Sequence, residues 1–379
     1  MTRITQSEFT ATFGLDFGGG FKSKKFKYFF GNDYPQSYVL NEGDIVVTMT
    51  DLSKDGDTLG YSAKIPKAIE TQVYLHNQRI GLVEIISDGI ERDFLYWLLR
   101  TREYQGFIIG SATGTSVKHT SPTTIRQYST FIPNSISEQK AIAAVLSSLD
   151  DKIDLLHRQN QTLEAMAQTL FRQWFIEEAR EDWETKKIKD LVEIQSGFAF
   201  KSSTFSDVGK YKLITIKAVQ DGYLDITNVD EIDFIADKVP RYCALEKNDI
   251  LLSLTGNVGR CCLVDRSNLL LNQRVAKLKP IEDSNWAFTY ILFRQTAMKQ
   301  NLEDLSKGSA QANLSPIETG LIEIVVPKDD FFIKFSAEVT PLMLKVMSNK
   351  IQIQTLTQLR DTLLPKLMSG EIRVEVEYE

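Results

Sequence analysis

Three polar, glycine-containing loops in the second half of the chain carry the residues best suited to contact a polyanion. They cover residues 195–201, 255–260 and 307–313. Backbone amides and short side chains in such loops can approach phosphates closely, while Arg, Asn and Gln can read base edges. The first half offers two corresponding segments, residues 50–61 and 110–120. These loops predict contact with nucleic acid, and an ordinary surface turn is the alternative for each.

The candidate contacts to nucleic acid combine hydroxyl, amide and cationic side chains with one aromatic ring. They are Ser196, Phe198, Lys201, Thr255, Asn257, Arg260, Arg274, Lys307, Ser309, Gln311, Arg79, Ser111 and Lys118. The sequence Asn-Gln-Arg occurs in both halves, at residues 77–79 and 272–274. If the two halves of the chain contact different base sequences, the residues that they share suit phosphate contact or domain structure better than base reading. We therefore expect structural roles for the Asn and Gln, and phosphate contacts for Arg79 and Arg274.

The chain lacks the side-chain patterns that common catalytic centres require. It has no Gly-x-x-x-x-Gly-Lys-Ser/Thr phosphate cradle, no Asn/Asp-Pro-Pro-Tyr/Phe motif of amino-methyltransferases and no Pro-Asp…Glu-x-Lys nuclease centre. Its three histidines (His76, His119 and His157) are dispersed, and its three cysteines form neither a disulfide framework nor a metal site. The sequence favours a binding protein over an enzyme, with no catalytic residue and no metal.

Composition and charge describe a globular protein. The 379 residues are 42% hydrophobic and 25% charged, which suffices for two or three domains with their own cores. The net charge is −6, but residues 1–134 and 183–328 each hold equal numbers of acidic and basic side chains. Neutral units can still present a locally basic face, so the charge leaves nucleic-acid binding open. Apolar runs of strand length, without a basic-then-apolar leader, predict a soluble, cytoplasmic chain with no membrane contact.

The two halves of the chain repeat one another in order. Residues 40–45 correspond to residues 245–250 at an offset of 205, and the Asn-Gln-Arg segments correspond at an offset of 195. The smaller offset indicates an insertion of ten residues in the first copy, between Thr50 and Asn77. Further matches follow in the same order: Gly110 with Gly308, Ser121 with Ser315, Ile132 with Val326, and Thr162 with Thr355. A duplicated unit predicts two like faces and an approximate two-fold axis, which suits a target with two halves.

Each copy ends in a long amphipathic helix. The first should begin at the capping-box pattern of residues 135–138. Both helices carry a heptad stripe of apolar residues, interrupted by Asn160 in the first. The stripe residues are Leu146, Leu149, Ile153, Leu156, Leu163, Leu170, Val346, Ile353, Leu356, Leu363 and Leu367. We predict that the helices form an antiparallel coiled coil; packing of each stripe on its own globular domain is the alternative.

Pro341 and Pro365 predict that the second helix starts or bends near residue 340 and bends again near its end.

The region before each helix is rich in short runs typical of β-strands. In the second half these runs are residues 192–194, 212–217, 250–254, 275–278 and 321–326. One helix is expected at residues 286–299, and its counterpart in the first half is residues 93–100. The fold class is therefore α+β, with two strand-rich domains that are each followed by a long helix.

Several segments resemble conserved regions of type I restriction–modification specificity subunits, over about residues 35–374. The central conserved helix of that family is matched by residues 136–146 (ISEQKAIAAVL), 149–153 (LDDKI), 160–164 (NQTLE) and 169–172 (TLFR). Residues 359–372 (LRDTLLPKLMSGEI) are similar to the distal conserved helix. Residues 183–198 resemble the usual opening of a target-recognition domain, and the first copy has no such opening, as if about twenty residues were missing.

The resemblance implies a function. Each globular domain would be a target-recognition domain that reads one half of a split double-stranded DNA sequence, and the helices would set the gap. The helices would also dock two modification (methyltransferase) subunits, which carry S-adenosylmethionine. Restriction subunits with ATP and Mg would add cleavage, although the sequence leaves their presence open. The chain itself would hold no cofactor and would act as a non-catalytic subunit of the complex.

The expected domain order follows from the repeat and the resemblance. It is target-recognition domain 1 at residues 1–134, lacking its usual opening, the central helix at 135–180, target-recognition domain 2 at 181–328, the distal helix at 329–374 and a tail at 375–379. Two other interpretations remain open at this point. The chain could be a coiled-coil scaffold that assembles partners without DNA, or a silent, truncated specificity cassette.

Overall fold

The computed structural model describes most of the chain. The described residues are 33–51, 58–68, 73–114, 117–307, 313–327 and 329–375. The chain divides into two compact units, of which the first comprises residues 1–155 and 353–379 and the second residues 156–352. The division runs through both long helices, so each unit contains one globular region together with a segment of each helix. The expected absence of a domain opening in the first copy concerns residues 1–32, which lie outside the described residues.

The globular part of the first unit is built from six short strands followed by two helices, a seventh strand and a third helix, within the residues that the structure describes. Its strands are β1 (Val39–Leu40), β2 (Ile45–Thr48), β3 (Thr50–Asp51), β4 (Ser62–Lys64), β5 (Tyr74–Leu75), β6 (Ile80–Leu82) and β7 (Lys118–His119). Its helices are α1 (Arg92–Leu98), α2 (Arg102–Gly110) and α3 (Pro122–Arg126). They are followed by the long helix α4 (Ile136–Arg172), which continues as a π-helical turn, Gln173–Glu177.

In its described part, the second unit also has short strands, three helices and a long final helix, with a strand that follows the third helix. Its strands are β8 (Glu184–Lys187), β9 (Val192–Ser196), β10 (Tyr211–Ile214), β11 (Glu231–Ile232), β12 (Ala244–Leu245), β13 (Ile250–Ser253), β14 (Cys261–Leu263), β15 (Leu269–Leu271), β16 (Val275–Pro280) and β17 (Glu323–Val326). Its helices are α5 (Trp286–Arg294), α6 (Thr296–Ser306) and α7 (Pro316–Gly320), and the long helix α8 (Asp329–Met368) follows.

The strand pairing repeats between the two units. In the first unit β2 lies between β4 and β6, and all pairs are antiparallel. In the second unit β13 lies between β14 and β16 with the same polarity, and β9 extends the sheet beyond β16. The pair β1–β5 recurs as β12–β15. All four residues of β2 and of β13 are buried, as expected for central strands whose two faces are both covered. The internal repeat that the sequence predicts is therefore a repeat of topology.

Helix capping repeats as well. Ser121 and Ser315 each precede a proline, and each side-chain oxygen accepts a hydrogen bond from the third residue of the following short helix, α3 or α7. Proline at the first helical position has no amide hydrogen to leave unsatisfied, so the Ser-Pro pair fixes where each helix starts. At the start of α4, Ser135 accepts from the amide of Glu138 at 3.3 Å, in agreement with the predicted cap.

Two sequence predictions about helices are wrong in detail. The expected helix at 286–299 is two helices, because Gln295 adopts an extended conformation (φ −66°, ψ 139°) between α5 and α6. For the second long helix, a start near residue 340 is wrong: α8 begins at Asp329, the first residue of the expected distal helix, and continues through Pro341 and Pro365. A proline removes one amide donor from a helix, and here the exposed helix surface around Ala337 leaves the freed carbonyl accessible to water.

Segments of α4 and α8 pack together in antiparallel orientation within each unit. In the second unit Asn349 donates to Asn160 at 2.9 Å, and further along Phe171 of α4 contacts Phe335 of α8. In the first unit Arg360 is paired with Asp150 at 2.5 Å. Residue numbers rise along one helix as they fall along the other, so the predicted antiparallel pairing is confirmed.

The heptad stripes face this helix–helix interface. The stripe residues Leu146, Ile153, Leu156, Val346 and Leu367 are buried, and Leu149, Leu163, Leu170, Ile353, Leu356 and Leu363 are half-buried. Two side chains in the interface are polar and almost fully buried, since Asn349 is 0% exposed and Arg360 is 2% exposed. Each has a polar partner on the other helix, as a buried amide or guanidinium requires.

An aromatic cluster joins the helices of the second unit to its globular part. Phe175 lies 4.8 Å from Phe335 and 4.7 Å from Phe288, measured between ring centroids. Phe332 packs edge-on against Phe288 at 4.9 Å. These rings belong to the π-helical turn, to α8 and to α5, so one apolar cluster connects three segments that are distant in sequence.

The three cysteines are buried and unpaired. Burial raises the pKa of the Cys261 thiol to about 12 and also raises the pKa values of Cys262 and Cys243. Among the described residues, no helix is both long and apolar enough to cross a membrane.

Replacement of Phe335 by Ala should lower the free energy of unfolding by about 3–5 kcal/mol, because a fully buried ring is lost from the aromatic cluster. Denaturant unfolding of the full chain measures the change. The matched control is Phe234→Ala in the same unit, where the ring is exposed and the expected change is within about 0.5 kcal/mol. Equal effects of the two substitutions would contradict the packing described.

The folded protein should resist alkylation by iodoacetamide at pH 8, because all three thiols are buried and their raised pKa values keep them protonated. Mass spectrometry should find no adduct in the folded chain and three adducts in denaturant. Rapid modification of Cys261 or Cys262 in the folded chain would show that the β13–β14 core opens readily, and rapid modification of Cys243 would show the same of the segment before β12.

Candidate nucleic-acid interface

Both units contain the same junction at the end of the central strand. After β2, the amide of Met49 donates to the carbonyl of Arg79 at 2.9 Å. After β13, the amide of Leu254 donates to the carbonyl of Arg274, also at 2.9 Å. The Asn-Gln-Arg turn of each copy is thereby attached to the residue that follows the strand.

A third segment completes each junction. The carbonyl of Met49 accepts from the amide of Thr120 at 3.0 Å, and the carbonyl of Leu254 accepts from the amide of Leu314 at 2.7 Å. We call this arrangement the strand-end junction. Its members are Met49, Thr50, Arg79, His119 and Thr120 in the first unit, and Leu254, Thr255, Arg274, Asn313 and Leu314 in the second.

One side-chain contact is common to the two junctions. Thr50 Oγ1 lies 3.2 Å from His119 Nδ1, and Thr255 Oγ1 donates to Asn313 Oδ1 at 2.9 Å. Thr255 is buried, so its hydroxyl acts inside the domain. His119 and Asn313 are not among the contact residues that the sequence predicts. The signal was available, because the offset of 194 that aligns Ser121 with Ser315 also aligns His119 with Asn313.

The arginines of the two junctions point to solvent while their backbones are fixed. Arg79 and Arg274 are both exposed, and neither has a salt-bridge partner among the residues that the structure describes. The backbone of Arg274 is left-handed, with φ of +67°, as the tight turn requires. Asn272 is buried, and its side-chain oxygen accepts from the amide of Gln273 at 2.8 Å. A fixed backbone with an exposed cationic side chain suits contact with a phosphate.

The loop at residues 195–201 lies against the same turn in the second unit. The amide of Gly197 donates to the carbonyl of Val275 at 2.9 Å, and the amide of Phe198 donates to the carbonyl of Leu271 at 3.1 Å. A Cβ atom on Gly197 would lie 2.1 Å from the carbonyl oxygen of Asn272, so only glycine permits this approach.

The candidate side chains of this loop divide into two groups. Phe198 packs on Phe200 with ring centroids 5.2 Å apart, and Lys238 lies 5.9 Å above its ring. Ser196 and Lys201 are exposed. Phe198 therefore belongs largely to the domain core, whereas Ser196 and Lys201 are available at the surface.

The loop at residues 255–260 is a tight connection between β13 and β14. Gly256 and Gly259 both have positive φ, and the amide of Gly259 donates to the carbonyl of Ser253 at 3.0 Å. Asn257 is exposed at its tip. Arg260 is half-buried, and its Nη1 donates to Oε1 of Gln220, a residue that the sequence analysis did not identify.

The remaining candidates occupy less open positions or lie outside the description. Lys307 is exposed and forms a salt bridge with Asp304 at 2.6 Å, and this hydrogen bond raises the pKa of Lys307. Ser309 and Gln311 lie outside the described residues. In the first unit Ser111 donates to the carbonyl of Phe107 at 2.7 Å and so serves the end of α2. Lys118 is half-buried in β7, and its backbone lies opposite Asp51 in the antiparallel pairing of β7 with β3.

The second unit therefore brings four of its candidate segments to one end of the β9–β16–β13 sheet. They are the loops at 195–201 and 255–260, the turn at 272–274 and the predicted loop at 307–313, which is represented by its last residue, Asn313. The first unit brings Arg79 and Lys118 to the corresponding position. Within the described part of the chain, no group of three His, Cys, Asp or Glu side chains could hold a metal ion.

Comparison with known proteins identifies the repeat. The family model described as the type I restriction modification DNA specificity domain matches residues 19–165 and again residues 180–330. Two curated relatives are specificity subunits of type I restriction enzymes. The MjaIX subunit of Methanocaldococcus jannaschii is 27% identical, over 77% of this chain and 71% of that protein. The HindI subunit of Haemophilus influenzae is 24% identical, over 92% of this chain and 96% of that protein.

One solved structure has the same fold. The crystal structure of the type I restriction–modification S subunit from M. genitalium superposes with a TM-score of 0.59. It covers 87% of this chain and 84% of that chain, at 20% sequence identity. The resemblance that the sequence analysis drew from the helical motifs is confirmed.

Gly197→Ala should lower the free energy of unfolding by about 1–3 kcal/mol, because the added methyl group would overlap the backbone of Asn272. Chemical denaturation of the full chain measures the loss. Gly106→Ala is the matched control, since no atom lies within 4 Å of the Cβ position. That substitution in α2 should be neutral or stabilise by up to about 1 kcal/mol. Similar losses of unfolding free energy in both variants would mean that the close approach of Gly197 to Asn272 does not contribute to stability.

Proposed function

The chain belongs to the type I restriction–modification DNA specificity family, and on this premise we propose that each globular unit reads one half of a bipartite DNA sequence. The observation that carries the proposal is the strand-end junction, which recurs in both units with the same backbone hydrogen bonds. Two copies of one scaffold, surrounded by different side chains, suit a target whose halves differ in sequence.

Phosphate contact is assigned to the residues that the two junctions share. Arg79 and Arg274 are exposed on fixed turns at equivalent positions, so they can hold the DNA backbone in both half-sites. Base reading is assigned to the exposed side chains that differ between the units, with Lys201 and Asn257 as the candidates in the second. Amide and amino groups on such loops can contact base edges in the major groove.

The long helices are proposed to set the spacing of the half-sites and to dock two modification subunits. Their apolar stripes are buried or half-buried against the other helix and the globular cores, and side chains on other faces of both helices remain exposed. Apolar side chains on these faces include Met166 of α4, which is 48% exposed, and Leu359 of α8, which is 44% exposed. Large apolar side chains that remain exposed on a helix suit a protein–protein contact.

Specificity subunits are recognition components without catalytic activity of their own. We therefore assign the chemistry to partners, with S-adenosylmethionine on the modification subunits, and ATP with Mg on restriction subunits where these are present. The assembled complex acts on cellular DNA, which supports a cytoplasmic location.

The proposal is tested by methylation mapping in cells with and without this chain, together with modification subunits. A bipartite methylated sequence that appears only when the chain is present supports it. Modification that is unchanged by loss of the chain would favour a silent cassette. Failure of the purified complex to retard any duplex in a salt-dependent manner would favour a scaffold that does not bind DNA.

Arg274→Ala should weaken binding of the complex to all duplexes and reduce the slope of log K against log salt by about one, because one phosphate contact is lost. Arg180→Ala, at an exposed position outside the junction, is the control and should leave the slope unchanged. Binding titrations at several salt concentrations measure both. An unchanged slope with an altered sequence preference would reverse the assignment and make Arg274 a base-reading residue.

A further inference from the structure

We propose that the turn at residues 220–223 of the second unit is a positioning element that links the paired helices to Arg260. Lys350 of α8 holds the turn on one side, and Gln220 of the turn orients the Arg260 guanidinium on the other. The inference rests on the proposed function, because it assigns to Arg260 a contact with the DNA half-site that this unit reads. Lys350 and Gln220 are positioning residues and touch no DNA themselves.

The helix side of the linkage consists of Lys350 and Glu164. The ammonium group of Lys350 donates to the carbonyl oxygen of Gly222 at 2.5 Å and lies 3.4 Å from the carboxylate of Glu164 on α4. Both side chains are 22% exposed, so water screens their interaction only in part. One cation therefore binds the turn and both helices at once.

A second cation fixes the turn from the globular side. Arg294 of α5 is 8% exposed, and its Nη2 lies 3.1 Å from Glu164 Oε2. Its Nε lies 3.7 Å from Asp221 of the turn, which Lys299 of α6 also contacts at 2.6 Å. The carboxylates of Glu164 and Asp221 thus each have two cationic partners. This charged network resists displacement of the turn, because such a movement would separate Asp221 from the nearly buried Arg294 guanidinium and from Lys299.

The turn itself is shaped by Gly222. Its φ is +88°, and a Cβ atom would lie 2.8 Å from Nη2 of Arg294. The amide of Gly222 donates to the carbonyl of Cys261 at 2.8 Å, and the amide of Gln220 donates to the carbonyl of Tyr223 at 3.1 Å. The backbone of the turn is therefore attached to β14, the strand that begins directly after Arg260.

The Gln220 side chain is held at both ends. Its Nε2 donates to the carbonyl of Lys217 at 2.7 Å, which leaves Oε1 directed at Nη1 of Arg260. Arg260 closes the loop that carries the exposed Asn257 and the junction residue Thr255. A long arginine side chain loses conformational entropy when it binds a ligand. Because Gln220 already restricts the Arg260 side chain in the free protein, less entropy remains to be lost when DNA binds.

The chain of contacts connects two surfaces with different partners. One end is the helix pair, where modification subunits are proposed to dock, and the other end is a loop proposed to face DNA. A substitution on α8 at Lys350 is therefore expected to alter recognition at a base pair that Lys350 does not touch.

The experiment uses the complex of the full chain with its modification subunits. The probes are duplexes that carry the target mapped in cells, with each base pair of both half-sites substituted in turn. Modification rates on this panel give the discrimination at every position. The variants are Gln220→Ala, Lys350→Met and the double variant. The matched controls are Gln300→Ala on α6 and Lys345→Met on α8, both at exposed positions outside the network.

Gln220→Ala and Lys350→Met should each reduce discrimination roughly tenfold at the same base pair of one half-site. The double variant should be no worse than the single variants, because both act through Arg260. Arg260→Ala should affect that same base pair, while the two controls leave the panel unchanged.

Two results would overturn the inference. One is unaltered discrimination in both variants, and the other is an equal loss of rate on every duplex, which indicates a structural role alone. Thermal unfolding of each variant identifies any that fails to fold. If Lys350→Met fails, the discrimination of Gln220→Ala decides between the two outcomes, since that substitution leaves the charged network intact. Failure of the proposed function is distinguishable, because the unsubstituted chain would then show no discrimination between the mapped target and a scrambled duplex.

Discussion

The antiparallel pairing of α4 and α8 is the interaction on which the rest of the structure depends. Each helix has one apolar stripe, whose residues are buried or half-buried between the paired helices and the globular cores that they join. Two polar layers interrupt the stripes, Asn160 with Asn349 in the second unit and Asp150 with Arg360 in the first. A register shift would separate these pairs and leave buried polar groups without partners, at a cost of about 1–3 kcal/mol or more each. The polar layers therefore fix the register, and the register fixes which helix segments each globular unit contacts.

The two units share the backbone arrangement of the strand-end junction and differ in most of the side chains around it. The strand-end junction is held by amides and carbonyls, which every non-proline residue provides, so its geometry persists while the sequence diverges. At the one shared side-chain contact, threonine meets His119 in the first unit and Asn313 in the second. A scaffold that does not depend on particular loop side chains leaves those side chains to vary, which is what recognition of two different half-sites requires.

Much of the fold was predictable because its signals are local or periodic. The heptad stripe, the cap at Ser135, the Ser-Pro helix starts and the order of the repeat each reflect a rule that acts over a few residues. The errors arose where packing overrides such rules. Pro341 looks like a helix start, yet Phe332 and Phe335 hold the preceding turns of α8 in the core. Gln295 interrupts an apolar helical period so that α5 and α6 can both pack against the sheet.

By itself the sequence determined the family, the two-fold repetition, the antiparallel helices and the loops that carry polar side chains. Only the tertiary structure decided which of those side chains remain free to meet another molecule. Thr255 is buried and bonded to a partner 58 residues away, whereas Arg79 and Arg274 reach solvent. Arg260 is half-buried, and its guanidinium is oriented by Gln220, 40 residues away. The physical reason is the range of the interactions. Helix periods and caps depend on residues that are close in sequence, whereas a hydrogen-bond partner can come from any distant segment that the folded chain places within about 3 Å.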